Sequence, residues 1–300
     1  METENTPSLP VKTELAFESL LLITAFIWGM GFVAQRVGLA SLPPFAFNAV
    51  RFFLGAAVLL PIMLLRRTTK AQLKAALKPG LLAGLVLSLG AGFQQVGMQY
   101  TSAGKGGFIT GLYVVLVPIA AMMLGRKTAW RTWLGVVLSF GGLFLLSVNS
   151  DFSINKGDLL ILIGAFFWTG HILVLDRFAP RVDPLALAAA QFVICAAVNG
   201  GLMLALESPT LTGLTDAAGA VLFSGVLTIG LGFTLQAIAQ TKAHPARASI
   251  IMSLEAVFAA LGGWVILHER LSPRELAGCA VMLAGMIIAQ LPARQPRIAV

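Results

Sequence analysis

Long apolar runs separated by short polar connectors fill the chain from end to end. Ten of them approach 20 residues, the length an α-helix needs to cross a bilayer core of roughly 30 Å. They lie at Leu20–Gln35, Pro44–Leu65, Pro79–Met98, Gly106–Gly125, Thr132–Val148, Asp158–Leu175, Pro184–Leu206, Ala217–Ile238, Ala248–Leu267 and Leu276–Leu291. No ten-residue segments of strict alternation appear, so a membrane β-barrel is excluded. A backbone facing lipid must satisfy its own hydrogen bonds, and each run therefore reads as a helix. The predicted fold class is an all-α integral membrane protein with ten transmembrane helices.

Composition agrees. Of 300 residues, 57% are hydrophobic and 11% charged, and the mean hydropathy is +0.87. A soluble domain carries about 25% charged residues, so there is too little charge here to coat a water-facing globule. The net charge of +8 would suit a nucleic-acid partner only if it formed a basic stripe. Instead it is scattered through the connectors, so no nucleic-acid partner is expected. With the N-terminus inside, fifteen Lys and Arg, among them Arg66, Arg67, Lys70, Lys74, Arg126, Lys127, Arg131 and Lys242, fall on the inner side. Five (Arg36, Lys105, Lys156, Arg270 and Arg274) fall on the outer side, and Arg51 alone lies inside a run. That bias predicts a multi-pass protein of the cell membrane with both termini cytoplasmic. Met1–Glu18 lacks the basic start of a signal peptide, so the first run is expected to remain as a span. Cys195 and Cys279 sit inside apolar runs, which predicts neither a disulfide nor a metal site.

An internal repeat organises the runs. An offset of 140 residues aligns Ala25–Trp28 (AFIW) with Ala165–Trp168 (AFFW), Pro44 with Pro184 and Phe52 with Phe192. It also aligns Gly90–Phe93 with Gly230–Phe233, and Thr101–Ala103 with Thr241–Ala243. At an offset of 143, Gly135 meets Gly278 and Gly142 meets Gly285. Each copy holds five spans, an odd number, so the copies cross the membrane in opposite senses. The predicted domains are two inverted five-helix repeats, residues 15–150 and 157–292, with cytoplasmic tails at 1–14 and 293–300. Inverted repeats are common in secondary transporters, whose substrate binds between the halves near the midplane.

The paired AFxW spans, the stretch Thr101–Pro118 (TSAGKGGFITGLYVVLVP), and Ser253–Ala259 (SLEAVFA) followed by Leu267–Ser272 (LHERLS) resemble the drug/metabolite transporter superfamily, specifically its EamA-type members. The resemblance spans roughly residues 15–292. It implies export or exchange of small metabolites, amino acids or drugs. Two positions depart from the pattern: Arg126 stands where such repeats often carry Glu, and Ala256 where Pro commonly follows the carboxylate.

Charged side chains inside a bilayer are costly and mark pathways or partners. Arg51, in the second span, has Gln191 as its repeat counterpart, and reads either as a substrate contact or as a structural ion pair. Glu255 lies inside the ninth span. A buried carboxylate favours its protonated form and can exchange a proton during transport; the alternative is a static tie to Arg51 or a backbone donor. Gln95 and Gln99, like Gln236 and Gln240, share a helix face at i, i+4 and suit either substrate or helix–helix bonds. His171 titrates near neutral pH in water, yet a lone His more often ties two helices. Trp28 and Trp168 recur in both halves, as stacking or packing aromatics. Lys105 stands among glycines but lacks the spacing of a phosphate loop, so it reads as an interfacial lysine or a pathway residue.

The predicted function is a secondary active transporter, an exporter or exchanger of small organic metabolites. The competing readings are a membrane-embedded enzyme and a passive channel. The first lacks convergent nucleophile, base or metal ligands, and no catalytic residue is assigned; the second lacks a charged ring or carbonyl filter. No cofactor is expected. The expected partners are a small-molecule substrate, the lipid bilayer and, since the fifth and tenth spans carry no interior ionisable group, a second copy in a homodimer.

Overall fold

The computed structural model describes residues 11–123, 125, 129–149, 152–240 and 245–291. Arg126, Lys127, Asp151 and the Thr241–Ala243 match lie outside the described residues, as do the side chains of Lys12 and Gln240. The helices are α1 (Val11–Gly38), α2 (Pro44–Leu65), α3 (Lys70–Gly97), α4 (Ala103–Gly111), α5 (Tyr113–Met123), α6 (Trp130–Ser147), α7 (Lys156–Phe178) and α8 (Pro184–Leu206). They continue with α9 (Leu211–Asp216), α10 (Ala218–Leu222), a widened π-helical stretch Phe223–Gly232, α11 (Phe233–Gln240), α12 (Pro245–Met252), α13 (Leu254–Leu267) and α14 (Pro273–Gln290). Nine stretches among the described residues are long and apolar enough to cross a membrane. The last predicted run is α14, whose 18 residues open on Arg274 and Glu275. The protein is an all-α, multi-span membrane bundle.

Polar connectors begin these helices by capping them. Thr69 and Gln72 form a reciprocal capping box that starts α3 at Lys70, nine residues before the predicted run. Ser272 and Glu275 do the same for α14, and Ser102, Asn155, Asp183 and Thr210 each accept a first-turn N–H. α13 stops at His268, which takes a left-handed φ of 54°.

Three predicted spans depart from a regular α-helix. The fourth breaks at Leu112, whose N–H bonds to the Ile109 carbonyl and whose own carbonyl accepts from Val115, both at three-residue spacing. The ninth breaks at Ser253, whose hydroxyl bonds back to the Ser249 carbonyl at 2.9 Å, a contact that bends helices. The eighth passes through the π-helical stretch, where the Thr228 hydroxyl donates to the Ser224 carbonyl. Hydropathy averages over many residues and does not register a one-residue fault.

Packing follows the small residues. In lipid no hydrophobic force draws helices together, so close approach through glycine matters most. α6 and α14 make the most intimate pair: a Cβ on Gly135 would lie 2.5 Å from the Gly285 carbonyl, and one on Gly142 2.6 Å from the Gly278 carbonyl. The two spans expected to face lipid or a second copy pack on each other through these glycines and leave Trp133, Val137 and Phe144 exposed on the opposite side of α6. Gly107 likewise meets Ala259, bringing α4 onto α13. α2, α3 and α8 converge on the Phe52 and Phe192 rings, 6.1 Å apart, and the Asn48 amide ties them by donating to Asn199 (3.0 Å) and the Ala91 carbonyl (3.1 Å).

Candidate functional site

A cavity of about 170 Å³ opens among α1, α2, α3, the α4–α5 break, α7, the π-helical stretch, α11 and α13. Its aromatic walls are Trp28, Phe32, Phe52, Trp168 and Phe233. Its polar groups are Gln35, Arg51, Gln94, Thr110, Tyr113, His171, Thr228, Gln236 and Glu255.

The two recurring tryptophans occupy corresponding walls and are held by their indole N–H groups. Trp28 donates to the Thr228 carbonyl at 3.0 Å, and Trp168 to Gln94 Oε1 at 2.9 Å. Gly232 leaves room for Trp28, since a Cβ there would sit 2.5 Å from the indole nitrogen.

Arg51 and Glu255 are both buried, each 4% exposed. The static tie between them does not form. The Arg51 guanidinium lies over the Phe52 ring at 5.0 Å and near Phe47 at 5.8 Å, and its Nε has no hydrogen-bond partner. Glu255, in the first turn of α13, accepts from the Tyr113 hydroxyl at 3.1 Å. Gln35 Oε1 and Thr110 Oγ1 are likewise buried without partners. Buried polar groups are almost always hydrogen-bonded, and three of the unpaired atoms thus belong to residues that line this cavity.

The other sequence-predicted residues divide. Gln236 lines the cavity; Gln191 stands behind it, 2.8 Å from His171 Nε2, which also meets Trp168 edge-on. Gln95 is buried away from the cavity with both amide atoms unpaired, and Gln99 is exposed. Their neighbour Gln94 takes the cavity position instead. Gln35, Gln94, Thr110 and Tyr113 were missed because their rotation about the helix axis is not written in hydropathy; the one available signal was a tyrosine in an apolar run five residues before Pro118.

Lys105 lies away from the cavity, in an ionic cluster at the end where all five outer-side basic residues were expected. Its ammonium is 2.9 Å from Glu275 and 3.4 Å from Asp158, which also accepts from the Thr101 hydroxyl. Beside it, Glu269 accepts from the Ala103 N–H at 3.1 and 2.9 Å and faces Arg36 at 3.9 Å. Burial pushes the Glu269 carboxyl up, against the pull of that N–H and of Arg36. A wider groove of about 490 Å³ between α4, α13 and α14 is walled mostly by apolar side chains such as Phe108, Leu261 and Trp264. It collects none of the unpaired buried polar atoms, as suits a surface wetted by lipid tails.

The EamA-like transporter family matches this chain twice, over residues 16–148 and 155–290. The chain belongs to that family. An uncharacterised transporter of Archaeoglobus fulgidus is 33% identical over 276 residues, covering 90% of this chain and 84% of that protein. The uncharacterised transporter YoaV of Bacillus subtilis is 26% identical, covering 89% and 94%. A solved crystal structure superposes with a TM-score of 0.66 at 18% identity, covering 91% of this chain and 97% of that one, and shows the likeness of fold. This EamA-like chain is therefore a membrane transporter of small molecules, a secondary carrier and not an enzyme.

Proposed function

We propose that this transporter works by alternating access between two inverted five-helix repeats, residues 15–150 and 157–292, which together make ten spans. Its cargo is a small amphipathic or zwitterionic metabolite, such as an amino acid, that it exports or exchanges. The observation carrying this reading is the cavity's set of unpaired groups: a guanidinium donor at Arg51 and acceptors at Gln35 and Thr110, with the Glu255 carboxylate on α13 and aromatic walls between. Such a site suits a molecule with an anionic end for Arg51, a donor-bearing end for the Gln35 and Thr110 acceptors and an apolar body, which leaves Glu255 free to carry the coupling proton. Residues related by the repeat support the two-fold arrangement. Phe52 touches its own counterpart Phe192, and the Gly135–Gly285 and Gly142–Gly278 contacts are images of each other. Gly84 packs on Ile194 and Gly225 on Leu54; Ile194 and Leu54 are counterparts, and Gly225 lies one residue beyond the counterpart of Gly84. The breaks at Leu112 and Ser253 fall at equivalent places in the two halves, and discontinuous helices of this kind hold substrate in secondary transporters.

Metabolite profiling of vesicles containing the purified protein identifies the cargo. With that cargo, Arg51→Gln, which copies the polarity of Gln191, is expected to weaken apparent affinity about tenfold or more, in line with loss of a charged hydrogen bond. Melting temperature in detergent should stay within a few degrees. A lower melting temperature with unchanged uptake per folded molecule would assign Arg51 to packing against Phe52 instead.

Orientation has its own test. In a background with Cys195 and Cys279 replaced by Ala, single cysteines at Lys74 and Ala129 should label only from the cytoplasm, and one at Phe152 only from outside. Labelling of positions 74 and 152 from one side would remove the odd span count and the inverted repeat with it.

A further inference from the structure

We infer that α4 is a gate, hinged at Leu112 beside the cavity and latched at its far end by carboxylates from the second half of the chain. The inference rests on the alternating-access reading, and its assignment to the outer face rests on the charge bias.

α4 has only nine residues, about 13 Å of helix. At one end it reaches the cavity: Thr110 lies in its last turn, and the break at Leu112 separates it from Tyr113 on α5. The break removes the continuous hydrogen-bond ladder that would force α4 and α5 to move as one rod. At the other end the helix is held by charge. Glu269, just beyond α13, receives the Ala103 N–H on both oxygens, while Lys105 spans Asp158 at the start of α7 and Glu275 at the start of α14. α1 joins the same clasp. Gln35 lines the cavity, and the next residue, Arg36, reaches Glu269 and donates to the Met98 carbonyl at 3.3 Å.

The chemistry of the clasp suits a contact that opens. The side chains of Arg36, Glu269 and Glu275 are 38%, 19% and 24% exposed, so water can replace their partners at small cost, while the buried Asp158, at 1%, keeps its bond from the Thr101 hydroxyl when Lys105 leaves. An apolar plug would instead have to expose its surface to water at every cycle. The flank along α13 is smooth as well: α4 presents Gly104 to Ala260 and Gly107 to Ala259, with no large side chain interlocked between the helices at those positions.

The test uses a cysteine reporter at Gln35 in the background lacking Cys195 and Cys279, with a membrane-impermeant maleimide added outside sealed vesicles. Labelling should be slow with the clasp intact and at least tenfold faster in Glu269→Gln/Lys105→Met. A second reporter at Ser139, buried between α6 and α14, should stay unlabelled in both. An unchanged rate at position 35, or equal acceleration at 139, overturns the gate. Acceleration only when the maleimide is added to the cytoplasmic face retains the gate and overturns its outward assignment. If the double variant fails to reach the membrane, Lys105→Met alone gives the same comparison, with the same unchanged rate counting against the gate. None of these readouts needs the cargo, so they stand apart from the transport reading at the cavity.

Discussion

Glu255→Gln is expected to abolish gradient-driven accumulation of cargo while leaving exchange across the membrane intact. Glu255 lines the cavity, is 4% exposed, and has no cation within ion-pair distance among the described residues; its partner is the neutral Tyr113 hydroxyl at 3.1 Å. Without a neighbouring charge to hold it ionised, the carboxylate can take up or release a proton as the site changes sides. Arg51, the other buried charge in the cavity, effectively never deprotonates. Glutamine copies the protonated shape and still accepts from Tyr113, so binding and exchange survive. Return of the empty, deprotonated carrier does not. Accumulation under an imposed pH gradient should fall at least tenfold, with counterflow at equal pH within about twofold of wild type. Glu255→Asp should retain partial coupling with a shifted pH profile. Accumulation at the wild-type level in the Gln variant would clear Glu255 of the role and turn attention to His171.

The largest structural effect is expected at Gly142. A Cβ there meets the Gly278 carbonyl, Met282 Cγ and Met282 N, all at 2.6 Å, and two of those three atoms belong to backbone that has nowhere to retreat. Gly142→Leu should cost on the order of 3 kcal/mol or more through overpacking, separating α6 from α14. At Gly141, one residue earlier, an added Cβ would meet nothing within 4 Å, because that position points away from the interface. Gly141→Leu should therefore melt within a few degrees of wild type, whereas Gly142→Leu should lose most of its monodisperse, folded fraction in detergent. Equal behaviour of the two variants would mean that the α6–α14 contact does not hold the bundle together.

The Lys105 ionic cluster and the cavity have different sequence origins, and that difference decides what was legible. Lys105, Asp158 and Glu275 are visible as charges near span ends, but their meeting depends on where three separate helices begin. Glu255 and Arg51 stand out because charge inside an apolar run is rare. Their actual partners are Tyr113, from another span, for the one, and the faces of the adjacent Phe52 and of Phe47, one turn back, for the other.

From its sequence alone the protein is legible as an all-α, many-span membrane bundle of the EamA type, with its spans located and its two similar halves recognisable. The reason is local: lipid obliges each segment to be apolar over about 20 residues and to bond its own backbone, so a linear pattern is enough. The tertiary structure alone decided which faces meet. One residue along a helix turns a side chain by about 100°, and so Gln94 enters the cavity while Gln95 does not. It also decided that the glycine faces of α6 and α14 are used on each other, that spans four and nine break near the cavity, and that span eight widens there. Rotation, pairing and breakage depend on the shapes of neighbouring helices, and an apolar run carries the same hydropathy whichever way it is turned.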